Sequence, residues 1–94
     1  MHYIRKVRVA SPGTRNEHIT HVQHSENTYG PALTTAAKET VVSSIESGQT
    51  YRSHNDGTGA EAAVTVRIST AGQKYIATVA DGTETNNLLA LPRF

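Results

Sequence analysis

Residues 62–80 constrain the fold most. Val64, Val66 and Ile68 alternate with Ala63, Thr65 and Arg67. After Ala71-Gly72, residues Tyr75, Ala77 and Val79 alternate with Ile76 and Thr78. Successive side chains of an extended strand point to opposite faces, so this pattern predicts two half-buried strands, with Ala71-Gly72 as the turn between them. A lone hairpin is marginal in water. The rest of the chain must therefore supply more strands, a helix, or both.

The chain has 94 residues, enough for one domain spanning residues 1–94 and too few for two cores. Only 36% of residues are hydrophobic, with four Tyr, one Phe and no Trp, so the core must come from Val, Ile, Leu and Ala. Residues 3–9 read as a strand ending at the Ser11-Pro12-Gly13 turn, and 18–24 as its partner. Ile4 and Val7 stand three apart, as do Ile19 and Val22. Strict alternation would send each pair to opposite faces; a β-bulge in one or both strands returns them to one face. Residues 25–31 read as a loop. A helix is expected from Thr34 or Thr35, as the capping residue, to about Ser47, with Gly48 as its stop. Its apolar stripe is Ala37, Val41 and Ile45, with Val42 beside it. Tyr51 sits in a short strand, residues 54–59 turn the chain, and 81–87 form a polar connection. Leu88, Leu89, Leu91 and Phe94 make an apolar tail too costly to leave in water when the core is this thin. The expected fold is α+β: a mainly antiparallel sheet of about five strands in the order β-β-α-β-β-β, one helix on one face, and the docked C-terminal tail.

With no Cys, disulfides and thiolate metal sites are excluded, which suits a reducing, cytoplasmic setting. No apolar run approaches the about 20 residues of a membrane-spanning helix, and residues 1–10 lack the apolar stretch of a signal peptide. Nine Lys and Arg against eight Asp and Glu give a net charge of +1, which names no partner. The distribution says more: Arg5, Lys6, Arg8 and Arg15 all precede the first acid, Glu17. With Arg67 they are the candidate nucleic-acid contacts, and Tyr3 or Tyr29 the candidate stacking platform. The competing reading is a strand whose cations merely keep its edge soluble.

His18, His21 and His24 repeat every third residue. On a strand, His18 and His24 lie about 20 Å apart and His21 faces away, so the three do not grip one ion. Asp56-Gly57-Thr58 and Asp81-Gly82-Thr83 lack the further oxygen ligands of a calcium loop and read as turns. No nucleophile elbow, phosphate-binding loop or dinucleotide glycine pattern occurs. No catalytic, cofactor-binding or metal-binding residues are therefore assigned, and the chain is read as a non-enzyme.

Taken together, Tyr3-Ile4-x-x-Val7, His18-Ile19-x-x-Val22, Val42-x-x-Ile45-Glu46-x-Gly48-x-x-Tyr51, Tyr75-Ile76-x-Thr78-x-Ala80-Asp81-Gly82-Thr83 and Asn87-Leu88-x-x-Leu91-Pro92-x-Phe94 resemble a small bacterial domain family of unknown function. The resemblance covers nearly the whole chain, and its ending is the most specific part. The chain departs from it at Leu89 and Arg93, where glycine and an acidic residue are expected. It implies a bacterial or phage-borne intracellular domain and carries over no activity, cofactor or catalytic residue. The functional expectation is thus a small binding or interaction module, self-associating or with a protein partner and without a membrane role. The alternative is nucleic-acid binding through the basic N-terminal strand.

Overall fold

The computed structural model describes residues 2–28, 30, 33–80 and 83–94. The central hairpin forms as its alternation predicts. Strand β5 (Glu61–Ile68), fifth in chain order, pairs antiparallel with β6 (Lys74–Ala80), with Val64 opposite Thr78 and Val66 opposite Ile76. Gly72, at φ +82°, donates its N–H to the Ser69 carbonyl and closes the tip. Ile68 falls beyond the covered part of the sheet and is 66% exposed. Tyr75, Ile76, Ala77 and Thr78 are all buried, so β6 is covered on both faces.

Strands β1 (His2–Val9) and β2 (Ile19–Ser25) form the second antiparallel pair. Both carry the anticipated bulge. Ile4 is opposite His24 and Lys6 opposite Gln23, leaving Arg5 as the extra residue on β1. Arg8 is opposite His21 and Val9 opposite Ile19, leaving Thr20 extra on β2. Each bulge resets the alternation by one residue. Ile4, Val7, Ile19 and Val22 consequently all reach one core and are fully buried.

Two further strands bring the described sheet to seven, in the order β3-β2-β1-β4-β5-β6-β7, and correct the expectation of five. Strand β3 (Thr34–Ala37) occupies the stretch expected to start the helix, and it pairs with His21–His24 of β2. Ladder bonds with β2 outweigh the weak helix propensity of two threonines. The helix, α1 (Lys38–Glu46), begins after it; Ala37 is the N-cap and makes no side-chain cap. Val41 and Val42 are buried and Ile45 packs on them. Gly48 ends the helix at φ +101°; its N–H bonds to the Ile45 carbonyl and that of Gln49 to Ser44, the paired bonds of a left-handed C-terminal cap. Strand β7 (Thr83–Thr85) lies in the stretch expected to be a polar connection, because three polar residues carry no alternation. Asp81 and Gly82, the rest of that expected turn, lie outside the described residues. Strand β4 (Tyr51–His54) runs parallel to β1, as does the isolated bridge of Val7 to Arg93, while the other described strand pairs are antiparallel.

Strand β4 accompanies β1 only along His2–Ile4. Farther along β1 the C-terminal tail takes its place: Val7 donates to the Pro92 carbonyl at 3.0 Å and accepts from the Phe94 N–H at 3.2 Å. Leu88 and Leu91 enter the core at 0% and 3% exposure, whereas Leu89 and Phe94 are only half-buried, so the expected docking of the tail holds in part. At the far edge, Asn16 in a single 3-10 turn (Asn16–His18) donates to the Glu84 carboxylate and the Thr85 carbonyl. The β7 edge therefore curls back toward the β1–β2 connection.

Candidate functional site

The bulge in β1 decides what the basic strand can do. Arg5 is 7% exposed. Its Nε donates to Asp56 Oδ1 at 2.9 Å and one terminal nitrogen to Oδ2 at 2.7 Å, a forked pair; the other donates to the Gly30 carbonyl at 2.7 Å. The hydrogen bond and charge of Arg5 hold the Asp56 carboxyl below its usual pKa, and Asp56 raises that of Arg5. This guanidinium staples the 55–60 turn and the loop after β2 onto the sheet. The turn itself is closed by Asn55, whose Oδ1 accepts from the Gly57 and Thr58 N–H groups.

The candidate contacts Arg5, Lys6, Arg8, Arg15 and Arg67 are not gathered into one surface. Arg15 pairs with Glu17 at 3.0 Å, and Arg67 with Glu84 at 3.4 Å. Arg8 lies 4.6 Å over the Phe94 ring and donates to the Phe94 carbonyl. Lys6 and Arg8 do share the sheet face away from the helix, opposite Gln23 and His21. Tyr3 presents its ring edgewise to His54 at 6.3 Å. Tyr29 lies outside the described residues. His54 sits between Glu61 at 2.8 Å and Asp56 at 3.7 Å.

The three spaced histidines are separated. His18 Nδ1 accepts from the Thr14 and Arg15 N–H groups and closes the turn before β2. His21 faces outward beside Thr20, and His24 inward. What spacing could not show is the neighbour of His24. The Tyr3–Ser25 and His2–Tyr51 registers bring His2, His24 and Tyr51 together at the end of the core. The His2 and His24 rings meet edge to face at 5.2 Å, and Tyr51 stacks on His2 at 4.6 Å. Burial, then the charge of His2, lowers the His24 pKa. A cavity of about 460 Å³ adjoins them, lined by His2, His24, Ser25, Glu26, Asn27 and Thr34. Among the described residues no group of three or more His, Cys, Asp or Glu is placed to hold a metal.

A second buried polar cluster fixes the far edge. Glu84 accepts from Asn16 at 2.9 Å and from the Tyr75 hydroxyl at 2.8 Å. Burial opposes its charge, but these bonds and Arg67 outweigh burial and lower its pKa; burial and Glu84 together raise that of Tyr75. The two sheet edges thus differ. Strand β7 is short, carries Glu84 and is held by Asn16. Strand β3 has no charged residue and pairs only with β2 among the described residues.

A family model described as a protein of unknown function, DUF3892, matches residues 3–92. The chain belongs to the DUF3892 family. No curated protein and no solved structure matches it. The DUF3892 match takes in β2 to β7, the helix and the buried Leu88 and Leu91, so it describes the whole folding unit. The family description names no activity, and function is argued from geometry. No helix among the described residues of this DUF3892 chain is long and apolar enough to cross a membrane.

Proposed function

We propose that this chain is a small cytoplasmic interaction module without catalytic activity, which works by offering the open edge of β3 to another strand, first of all that of a second copy. The observation that carries the reading is the inequality of the two edges. Sheet edges expose unpaired N–H and C=O groups, and proteins that do not use them blunt them with charge, brevity or cover. Strand β7 has all three. Strand β3, Thr34-Thr35-Ala36-Ala37, has none of the usual charges or prolines, and Thr34 and Thr35 are exposed. It also suits self-pairing. A two-fold axis at Thr35 sets Thr35 opposite its copy and Thr34 opposite the partner's Ala36, so no like charges meet.

Mass in solution tests this. The expected species has twice the 10.1 kDa of one chain. Thr35→Lys, on an exposed position, places two ammonium groups face to face and should return a folded monomer, with the melting temperature of the parent diluted until it too is monomeric. A parent that stays monomeric at millimolar concentration, or a Thr35→Lys variant that still dimerises, contradicts the reading.

Nucleic-acid binding is the second reading, favoured by the adjacency of Lys6 and Arg8 on the uncovered face. Its contact set is smaller than the sequence suggested, since Arg5, Arg15 and Arg67 have acidic partners. It requires retention on single-stranded DNA or RNA at low salt that fades with a slope of about −0.7 per phosphate contacted and is lost in Lys6→Gln/Arg8→Gln. Absence of retention at low ionic strength rules it out.

A further inference from the structure

We propose that His2 and His24 form a binding site for one divalent transition-metal ion at the rim of the cavity between the start of β1 and the end of β2. Three observations carry this. The first is spacing. A nitrogen 2.0–2.1 Å from zinc puts its ring centroid about 3.2 Å from the ion, so two imidazoles at a tetrahedral angle have centroids about 5.2 Å apart. The His2 and His24 centroids are 5.2 Å apart with the rings at 89°. The second is an orphan. The Nδ1 atom of His2 is buried and has no hydrogen-bond partner among the described residues. Buried polar atoms are almost always paired, and an exception calls for a ligand to be considered. The third is access and support. The adjoining cavity, about 460 Å³, admits an ion with its waters, and Glu26 lines it as well.

Tyr51 holds the pair in place, stacked on His2 at 23° and edge-on to His24 at 5.7 Å. Both rings are anchored by strand pairing, His24 opposite Ile4 and His2 opposite Tyr51. Imidazole nitrogens select zinc, nickel and copper over calcium or magnesium. Two protein ligands leave the other positions to water, so the ion binds reversibly and remains open to an external ligand. Among the other histidines, His18 Nδ1 is taken by backbone N–H groups, His21 lies on the opposite sheet face beside Thr20, and His54 is held by two carboxylates.

The test uses the full chain, free of any affinity tag and treated with chelator, titrated with zinc chloride alone. Imidazole carbon–proton NMR signals report each histidine separately. The His2 and His24 signals should move together and saturate at one ion per chain, while magnesium leaves them still. His24→Gln should weaken zinc binding by about 10–100-fold. His2→Gln, at the start of the chain, should do the same and covers the case in which His24→Gln does not fold. Zinc that moves His18, His21 or His54 first, an unaltered affinity in His2→Gln, or no shift with zinc in excess would each overturn the proposal.

Discussion

Arg5 shows how one residue changes meaning between sequence and fold. In the sequence it is the first member of a basic run and reads as a surface contact. In the fold it is the extra residue of a bulge, and its guanidinium reaches Asp56 and Gly30, partners 51 and 25 positions away. No local pattern predicts such a closure. The bulge itself was legible, from Ile and Val three apart on two strands that must share a core. Arg5→Lys keeps the charge but loses the fork, and should cost about 1–3 kcal/mol in urea unfolding, the range for bonds to charged groups. An unaltered midpoint would show that Arg5 is not a structural staple. Asp56 and Glu84 both have pKa values lowered in the folded state. Their stabilisation is complete above the unfolded carboxyl values of about 4 and is lost as the pH falls through the lowered folded values. The melting temperature should therefore hold from pH 7 to about 5 and fall below about 4, and Asp56→Asn should blunt that fall. A parent curve flat to pH 2 contradicts both assignments.

At the scale of elements, strong periodicity was reliable and weak periodicity was not. The Glu61–Ile68 and Lys74–Ala80 strands lie where alternation put them. The helix stop at Gly48 was also legible, since the left-handed cap demands a residue that tolerates positive φ. Gly48→Ala meets no steric neighbour within 4 Å, so the change isolates backbone strain. It should cost about 1–2 kcal/mol by denaturant titration. No cost would mean that the cap is not formed. The misread elements are the two edge strands. Thr34 and Thr35 look like helix caps until Gln23 and His24 are beside them, and Thr83–Thr85 has no apolar residue at all. Edge strands need only one neighbour and one covered face, so their sequences carry little signal. The same holds for His2 and His24, 22 residues apart in the chain and adjacent only through pairing of β1 with β2.

At the scale of the whole molecule, the tail completes what the sheet leaves open. Leu88 is fully buried, and the Val7 backbone finds its partners in Pro92 and Phe94. Leu88→Ala should cost about 2–5 kcal/mol, a large share of the stability of so small a domain. Deleting residues 88–94 should abolish cooperative unfolding, whereas an unchanged melting curve would make the tail an exposed hook instead of core. On the proposed reading, the outer edge of β3 is the surface offered to another chain. Amide hydrogen exchange across a concentration series tests that most directly. At concentrations where dimers form, the outward amides of Thr34–Ala37 should exchange at least about tenfold more slowly than in dilute solution, with β7 unaffected, since a paired edge amide opens only with the interface. Equal exchange of β3 at both ends of the series, with the chain shown to associate, would place the interface elsewhere and contradict the account.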